Sequence, residues 1–209
     1  MDDKKYLDDL KNIREMMDRS TQFISLSGLS GVLAGVYALI GAFFAKQILN
    51  SHMQRGYDYS GYVTLESDTF RNIMAMAIGV LVLSVGTALL MSRIKAKKNG
   101  QSLWNATSRR LVINFLIPLV TGGVFALLLL RHQVYGLIAP VTLIFYGLAC
   151  VNASKHTFRD VRYLGITVIL LGLIATEYSG YALEFWALGF GVCHIIYGGI
   201  MHFKYERNN

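Results

Sequence analysis

Six stretches of this chain are apolar and almost uncharged, and they are separated by short segments rich in Lys, Arg, Asp and Glu. Residues 23–45, 73–91, 111–130 and 134–151 contain no ionisable carboxylate, ammonium or guanidinium. Residues 163–176 form a shorter run, which reaches Tyr181 if Glu177 lies at an interface. Residues 183–203 form the sixth, with Glu184 near its start. A bilayer core takes roughly 20 apolar residues per helix. The pattern predicts an all-α fold, a six-transmembrane-helix bundle with spans at about 23–48, 71–92, 110–130, 134–152, 162–180 and 182–203. Six such helices leave too little chain to bury them all inside a soluble protein. Within residues 1–21, Tyr6, Leu10, Ile13 and Met17 recur at helical spacing among charged residues. That predicts an amphipathic helix lying on the cytoplasmic membrane surface. The polar start and the length of the first apolar run argue against a cleaved signal peptide. Residues 204–209 are expected to form a cytoplasmic tail.

Composition sharpens this picture. The 209 residues are 54% hydrophobic and only 16% charged, against about 25% charged in soluble domains. A net charge of +7 would suit nucleic acid, but the positions of the charges point elsewhere. With the N-terminus inside, sixteen Lys and Arg fall on cytoplasmic segments. Only Lys46, Arg55, Arg71 and Arg131 fall outside. The positive-inside rule then places both termini in the cytoplasm, with the lipid bilayer as partner and no role for nucleic acid. Cys150 and Cys193 lie within apolar runs and read as small hydrophobes. The long outer segment, about 50–70, gathers Tyr57, Tyr59 and Tyr62 with Asp58, Glu66 and Asp68. It reads as a lid over the bundle or as a ligand-binding loop.

Two features suggest internal order. Arg110 and Arg162 are 52 residues apart, and the Tyr146-Gly147 and Tyr197-Gly198 dipeptides are 51 apart. These offsets fit a parallel repeat of two hairpins. The stretch NASKHTFRDVRYLG at residues 152–165, the GLSG-rich first span and the histidine in the sixth together resemble uncharacterised six-helix bacterial inner-membrane proteins. The resemblance implies the bacterial inner (plasma) membrane as location and carries no activity with it.

The GLSG tetrapeptide at residues 28–31 also matches the Gly-x-Ser-Gly of rhomboid-type proteases. A nucleophilic Ser30 needs a base and oxyanion donors. His194 is the one candidate base, at a compatible depth of about 13 Å against about 10 Å for Ser30, at 1.5 Å per residue. The rhomboid serine, however, sits on the fourth span near the outer side, and its second-span His and Asn have no counterpart here. The simpler reading is packing. Ser27, Gly31 and Gly35 form one small-residue face, and Ser30 and Ala34, with Ala38 and Ala42, form the next. Such faces serve helix contacts within the bundle, with a second copy or with another membrane protein through the first span.

Ionisable and polar groups inside spans are the site candidates. His194 is the deepest. Glu177 and Glu184 flank the last outer turn, where Arg131, His132 or Arg71 are the expected partners. Asn114 is placed to bond across helices. Tyr37, Tyr146 and Tyr197 are further polar-site candidates. Pro118 and Pro140 are expected to kink the third and fourth spans. No second span histidine accompanies His194, so no metal site and no cofactor are expected. These residues predict a non-enzymatic membrane protein that binds or transports a small apolar or amphipathic molecule. The alternative is a sensor, scaffold or subunit of a membrane complex. An intramembrane hydrolase using Ser30 and His194 is the least favoured class.

Overall fold

A computed structural model describes residues 27–53, 67–98, 100 and 104–205. The predicted surface helix at 1–21 and most of the tyrosine-rich outer segment lie outside the described residues. All regular structure among the described residues is helical. It comprises α1 (Gly28–Met53), α2 (Ser67–Lys98), α3 (Ala106–Arg131), α4 (Ile138–Ala153), α5 (Asp160–Glu177) and α6 (Ala182–Tyr205). Single 3₁₀ turns join α3 to α4 at Tyr135–Leu137 and α4 to α5 at Ser154–His156. A third, Ser179–Tyr181, joins α5 to α6.

Five of the six helices are long and apolar enough to cross a membrane. The exception, α5, has eighteen residues and carries Asp160, Arg162 and Glu177. All three charges sit at its ends, which leaves its middle uncharged. The start of α3 is fixed by a capping box, in which the Asn105 side chain accepts from the Ser108 N–H and Ser108 Oγ accepts from the Asn105 N–H. Two donors that a helix start leaves unpaired are thereby satisfied. Pro140 corrects an expectation. Because α4 begins at Ile138, the proline occupies the first turn, where a missing N–H costs no helical bond. It therefore does not break the helix. Pro118 does lie inside α3.

Two helix pairs form the centre of the bundle, α1 with α6 and α4 with α5, each antiparallel. Both are held by glycines that bring backbone against backbone. A Cβ added at Gly35 would lie 2.6 Å from the Gly191 carbonyl oxygen and 3.0 Å from the Ile195 nitrogen. At Gly147 it would lie 2.6 Å from the Gly165 carbonyl and 3.0 Å from the Ile169 nitrogen. The same figure recurs in both pairs: a glycine faces a carbonyl and, one turn on, the nitrogen of a β-branched residue. Such close backbone approach is possible only because glycine has no side chain, and it packs the two helices of each pair tightly together. The peripheral helices are α2, which packs on α1, and α3, which packs on α4.

The buried centre lies where α4, α5 and α6 meet. Leu143, Leu164, Val168 and Cys193 form it, ringed by Tyr146, Leu171, Phe185, Phe190 and Tyr197.

Candidate functional site

The sixth helix is not uniform. It winds as an α-helix over Ala182–Trp186, as a π-helix over Ala187–Cys193, and as an α-helix again from His194. The sequence of the middle stretch, ALGFGVC, explains why it can. Gly189 and Gly191 lower helical propensity. Both also face leucines closely: a Cβ would meet the tip of the Leu143 side chain at Gly189 and the Leu39 side chain at Gly191. π-helical turns are rare and frequently mark functional sites.

His194 follows directly on this stretch and is buried, at 7% exposure. Its Nδ1 lies 2.9 Å from the Gly189 carbonyl oxygen. A carbonyl only accepts, so Nδ1 carries the proton and the neutral ring presents a bare Nε2. Tyr146 Oη lies 2.7 Å from that Nε2, so the tyrosine hydroxyl donates. The result is a directional chain from α4 through the imidazole to the backbone of the π-helical stretch. Phe190 stacks against His194, with centroids 5.9 Å apart, and lies 5.0 Å from the Tyr146 ring. Phe115 of α3 meets Tyr146 edge-on at 5.9 Å, and Trp186 lies 4.9 Å from Phe190. An aromatic ladder of Trp186, Phe190 and His194, each four residues after the last, thus leads from the N-terminal part of α6 to the pair. The Tyr146–His194 bond also crosses the seam between the two glycine-packed helix pairs. A second polar contact crosses the same seam, with Thr167 Oγ1 of α5 3.2 Å from Tyr197 Oη of α6.

The other sequence candidates are spread over the bundle. The Ser30 hydroxyl donates to the Ser27 carbonyl at 2.7 Å, while both His194 nitrogens are engaged elsewhere, so the structure does not join Ser30 to His194. Ser27, Ser30 and Gly35 are buried and Gly31 and Ala34 are half-buried. Gly28, Gly31 and Gly35 lie against α6, through Gly198, His202 and Gly191. That surface of α1 therefore faces α6. Tyr37 Oη is 3.4 Å from Thr87 Oγ1 on α2. Asn114 Nδ2 donates to the Arg110 carbonyl at 2.8 Å and lies 3.2 Å from His156 Nε2. The Asn114 carbonyl accepts from Asn152 Nδ2 at 2.8 Å.

Glu184 accepts from Lys46 at 2.9 Å, which replaces the expected Arg131, His132 or Arg71. The reason is the α1–α6 pairing, which brings the C-terminal part of α1 level with the start of α6. Arg71 instead pairs with Asp68 on its own helix at 3.1 Å. Glu177 is exposed at the last position of α5.

At the opposite end of the bundle Asp160 receives Tyr205 Oη at 2.6 Å and Lys204 Nζ at 3.0 Å. Burial pushes the Asp160 carboxyl up, but these hydrogen bonds and the lysine charge together hold it below its usual value. Phe158 stacks on Tyr205 at 4.2 Å, and Lys95 Nζ lies 5.6 Å above the Phe158 ring.

Among the described residues no cluster of three or more His, Cys, Asp or Glu is placed to hold a metal ion. The sequence reading did not identify Gly189, Phe190, Phe115 or Lys46. Only the i, i+4, i+8 spacing of Trp186, Phe190 and His194 could have pointed to this site from sequence. No protein family, no curated protein and no solved structure matches the chain.

Proposed function

We propose that this chain is a six-span membrane protein of the bacterial inner membrane, with both termini cytoplasmic. We further propose that it binds or moves a small apolar or amphipathic molecule and does so without catalysis. The observation that carries this reading is the Tyr146–His194 bond, which crosses the seam between two tightly packed helix pairs at the π-helical break in α6. Irregular spans at the junction of two packed units are where membrane transport proteins hold their ligands. Irregular backbone is tolerated at membrane depth only inside protein or beside a cavity. For the sixth span, α5 is about 27 Å long at 1.5 Å per residue, close to the ~30 Å hydrocarbon core. Its terminal charges would then sit at the two interfaces.

Native mass spectrometry of protein extracted from its own membranes tests the binding role. A retained small molecule is expected in the wild type and is expected to be lost in Tyr146→Phe. A wild-type protein that carries no small molecule in repeated extractions would sink the reading.

One observation favours the second reading, a subunit or scaffold of a membrane complex. Leu81, Val82, Leu83, Leu89, Leu90 and Ile94 of α2 are all exposed, so this helix offers apolar surface on several sides to lipid or to another span. Stoichiometric co-purification of a second membrane protein would support it.

Topology is tested separately. Gln133 lies in the α3–α4 turn and Lys155 in the α4–α5 turn, both exposed, while the native cysteines are buried. In intact cells a membrane-impermeant maleimide is expected to label Gln133→Cys and to spare Lys155→Cys. The converse pattern would reverse the orientation.

A further inference from the structure

The 51-residue offset between Tyr146-Gly147 and Tyr197-Gly198 recurs in the packing of the helices that carry them. By this offset Pro140, Ile144 and Gly147 of α4 correspond to Gly191, Ile195 and Gly198 of α6. Each set meets its partner helix in the same way. A Cβ added at Gly172 of α5 would lie 2.7 Å from Ile144 Cγ1 and 3.0 Å from the Ile144 nitrogen. At Gly35 of α1 the same two distances are found to Ile195. A Cβ at Gly147 would lie 2.6 Å from the Gly165 carbonyl oxygen, and one at Gly198 would lie 2.7 Å from that of Gly28. The α4–α5 and α6–α1 pairs are therefore two copies of one packing unit, in which α6 takes the place of α4 and α1 that of α5. The copies differ where they face each other. The position held by His194 on α6 is held by Leu143 on α4. Thr167 of α5 lies 3.2 Å from Tyr197 of α6. The equivalent residues, Ser30 of α1 and Tyr146 of α4, bond elsewhere, Ser30 to the Ser27 carbonyl and Tyr146 to His194, each at 2.7 Å. Among the described residues α5 packs against α6, while α1 and α4 make no comparable contact.

We propose that the two units exchange these roles. In the alternate state α1 closes on α4, Tyr146 leaves His194 for Ser30, and the Thr167–Tyr197 contact opens. That arrangement is available because the units are alike: what α5 and α6 do in this structure, α1 and α4 can do by the same geometry. Each pair moves as one body. Within a pair, backbone lies against backbone at the glycines, so sliding drives one main chain into the other. Between the pairs the polar contacts are made by side chains, Tyr146 with His194 and Thr167 with Tyr197, and these change rotamer without disturbing a helix. His194 sets the balance. Where its counterpart is an apolar Leu143, the imidazole gives Tyr146 a partner that the alternate state lacks, so the arrangement seen here is the more populated one. Transporters built from two equivalent units work by rocking one against the other. The exchange thus rests on the membrane reading above and gives its transport role a moving part.

Spin-label distances measured by double electron–electron resonance in lipid nanodiscs test this, the native cysteines being buried. Three pairs of exposed positions serve. Ile40→Cys with Leu148→Cys spans α1 to α4, Leu170→Cys with Ile200→Cys spans α5 to α6, and Ile40→Cys with Ile196→Cys lies within one unit. Two distances are expected for each of the first two pairs and one for the third. Thr167→Val and His194→Leu each remove a contact of the present state. Both are expected to shift the ratio about tenfold toward the shorter α1–α4 distance, the scale of one buried hydrogen bond, with the α5–α6 distance lengthening in step. Ser30→Ala is expected to shift the ratio the other way. Opposite shifts are the signature of exchange, because mere loosening of the bundle would move every variant alike. If Ser30→Ala shifts the ratio in the same direction as Thr167→Val, Ser30 is not the second partner and the proposal fails. A single α1–α4 distance, unchanged in all variants, would also overturn it, as would a within-unit distance that varies as widely as those between units. Thr167→Val carries the test if His194→Leu does not fold. Failure of the protein to enter nanodiscs would overturn the membrane reading and the exchange with it, whereas single distances in protein that does enter strike the exchange alone.

Discussion

Gly165→Ala, like Gly147→Ala across the same contact, is expected to destabilise the protein strongly. The new Cβ would lie 2.6 Å from the Gly147 carbonyl oxygen and 2.9 Å from the Val151 nitrogen. Both are backbone atoms of a regular helix, so neither can turn aside as a side chain would. The helices must separate, at a cost of about 1–3 kcal/mol or somewhat more. Gly123→Ala is the matched control, because nothing lies within 4 Å of its added Cβ. There the substitution is expected to help by up to about 1 kcal/mol through helix propensity. On α1, Gly35→Ala is expected to cost clearly more than Gly31→Ala, whose nearest neighbour is the Gly198 Cα at an ordinary 3.4 Å. Thermal denaturation in one detergent gives all four values. If Gly165→Ala melts with Gly123→Ala, the glycine contacts do not hold the pair.

The second large effect concerns the seam. Tyr146→Phe leaves the buried His194 Nε2 without its donor, which should cost about 1–3 kcal/mol. His194→Leu removes both the acceptor for Tyr146 and the donor to Gly189, so its cost should be at least as large. The double variant is the informative one. Replacing both partners by apolar groups can be nearly neutral for the bond itself. The double variant is therefore expected to be less destabilised than the two single losses combined. A double-mutant cycle read by thermal or chemical denaturation measures this. Strict additivity would show that Tyr146 and His194 act independently and that the 2.7 Å contact carries no coupling.

Charge-free runs made the helices legible, because an uncharged stretch of this length has few other physical uses. The terminal charges of α5 were legible too, and they explain why this helix is the one outside the five apolar enough to cross a membrane. The small residues of α1 were readable as a contact surface, but not which helix they would meet. That choice depends on α6 presenting Gly191 and Gly198 at matching heights, which no local pattern states. His194 stood out because an imidazole is rare in such a run. Its partner did not, because Tyr146 is one of several tyrosines and its selection depends on how α4 and α6 are placed. The π-helical stretch was hidden for a similar reason. Glycines loosen a helix, but only the surrounding Leu143 and Leu39 side chains decide how it settles. Lys46 was not legible as the partner of Glu184, because only the α1–α6 pairing brings the two side chains together.

The pairing of α1 with α6 also bears on how the chain is made. The first described helix meets the last, so the glycine contacts of α1 cannot form until every helix between them has been synthesised. At ~5–20 residues per second, α1 waits on the order of ten seconds or more with Gly28, Gly31 and Gly35 uncovered by α6. The α4–α5 hairpin, by contrast, can close as soon as its second strand of backbone emerges. During translation the nascent protein therefore holds one finished hairpin and one helix awaiting its mate. In that interval the glycine face of α1 has no mate, and the arrival of α6 is the event that covers it.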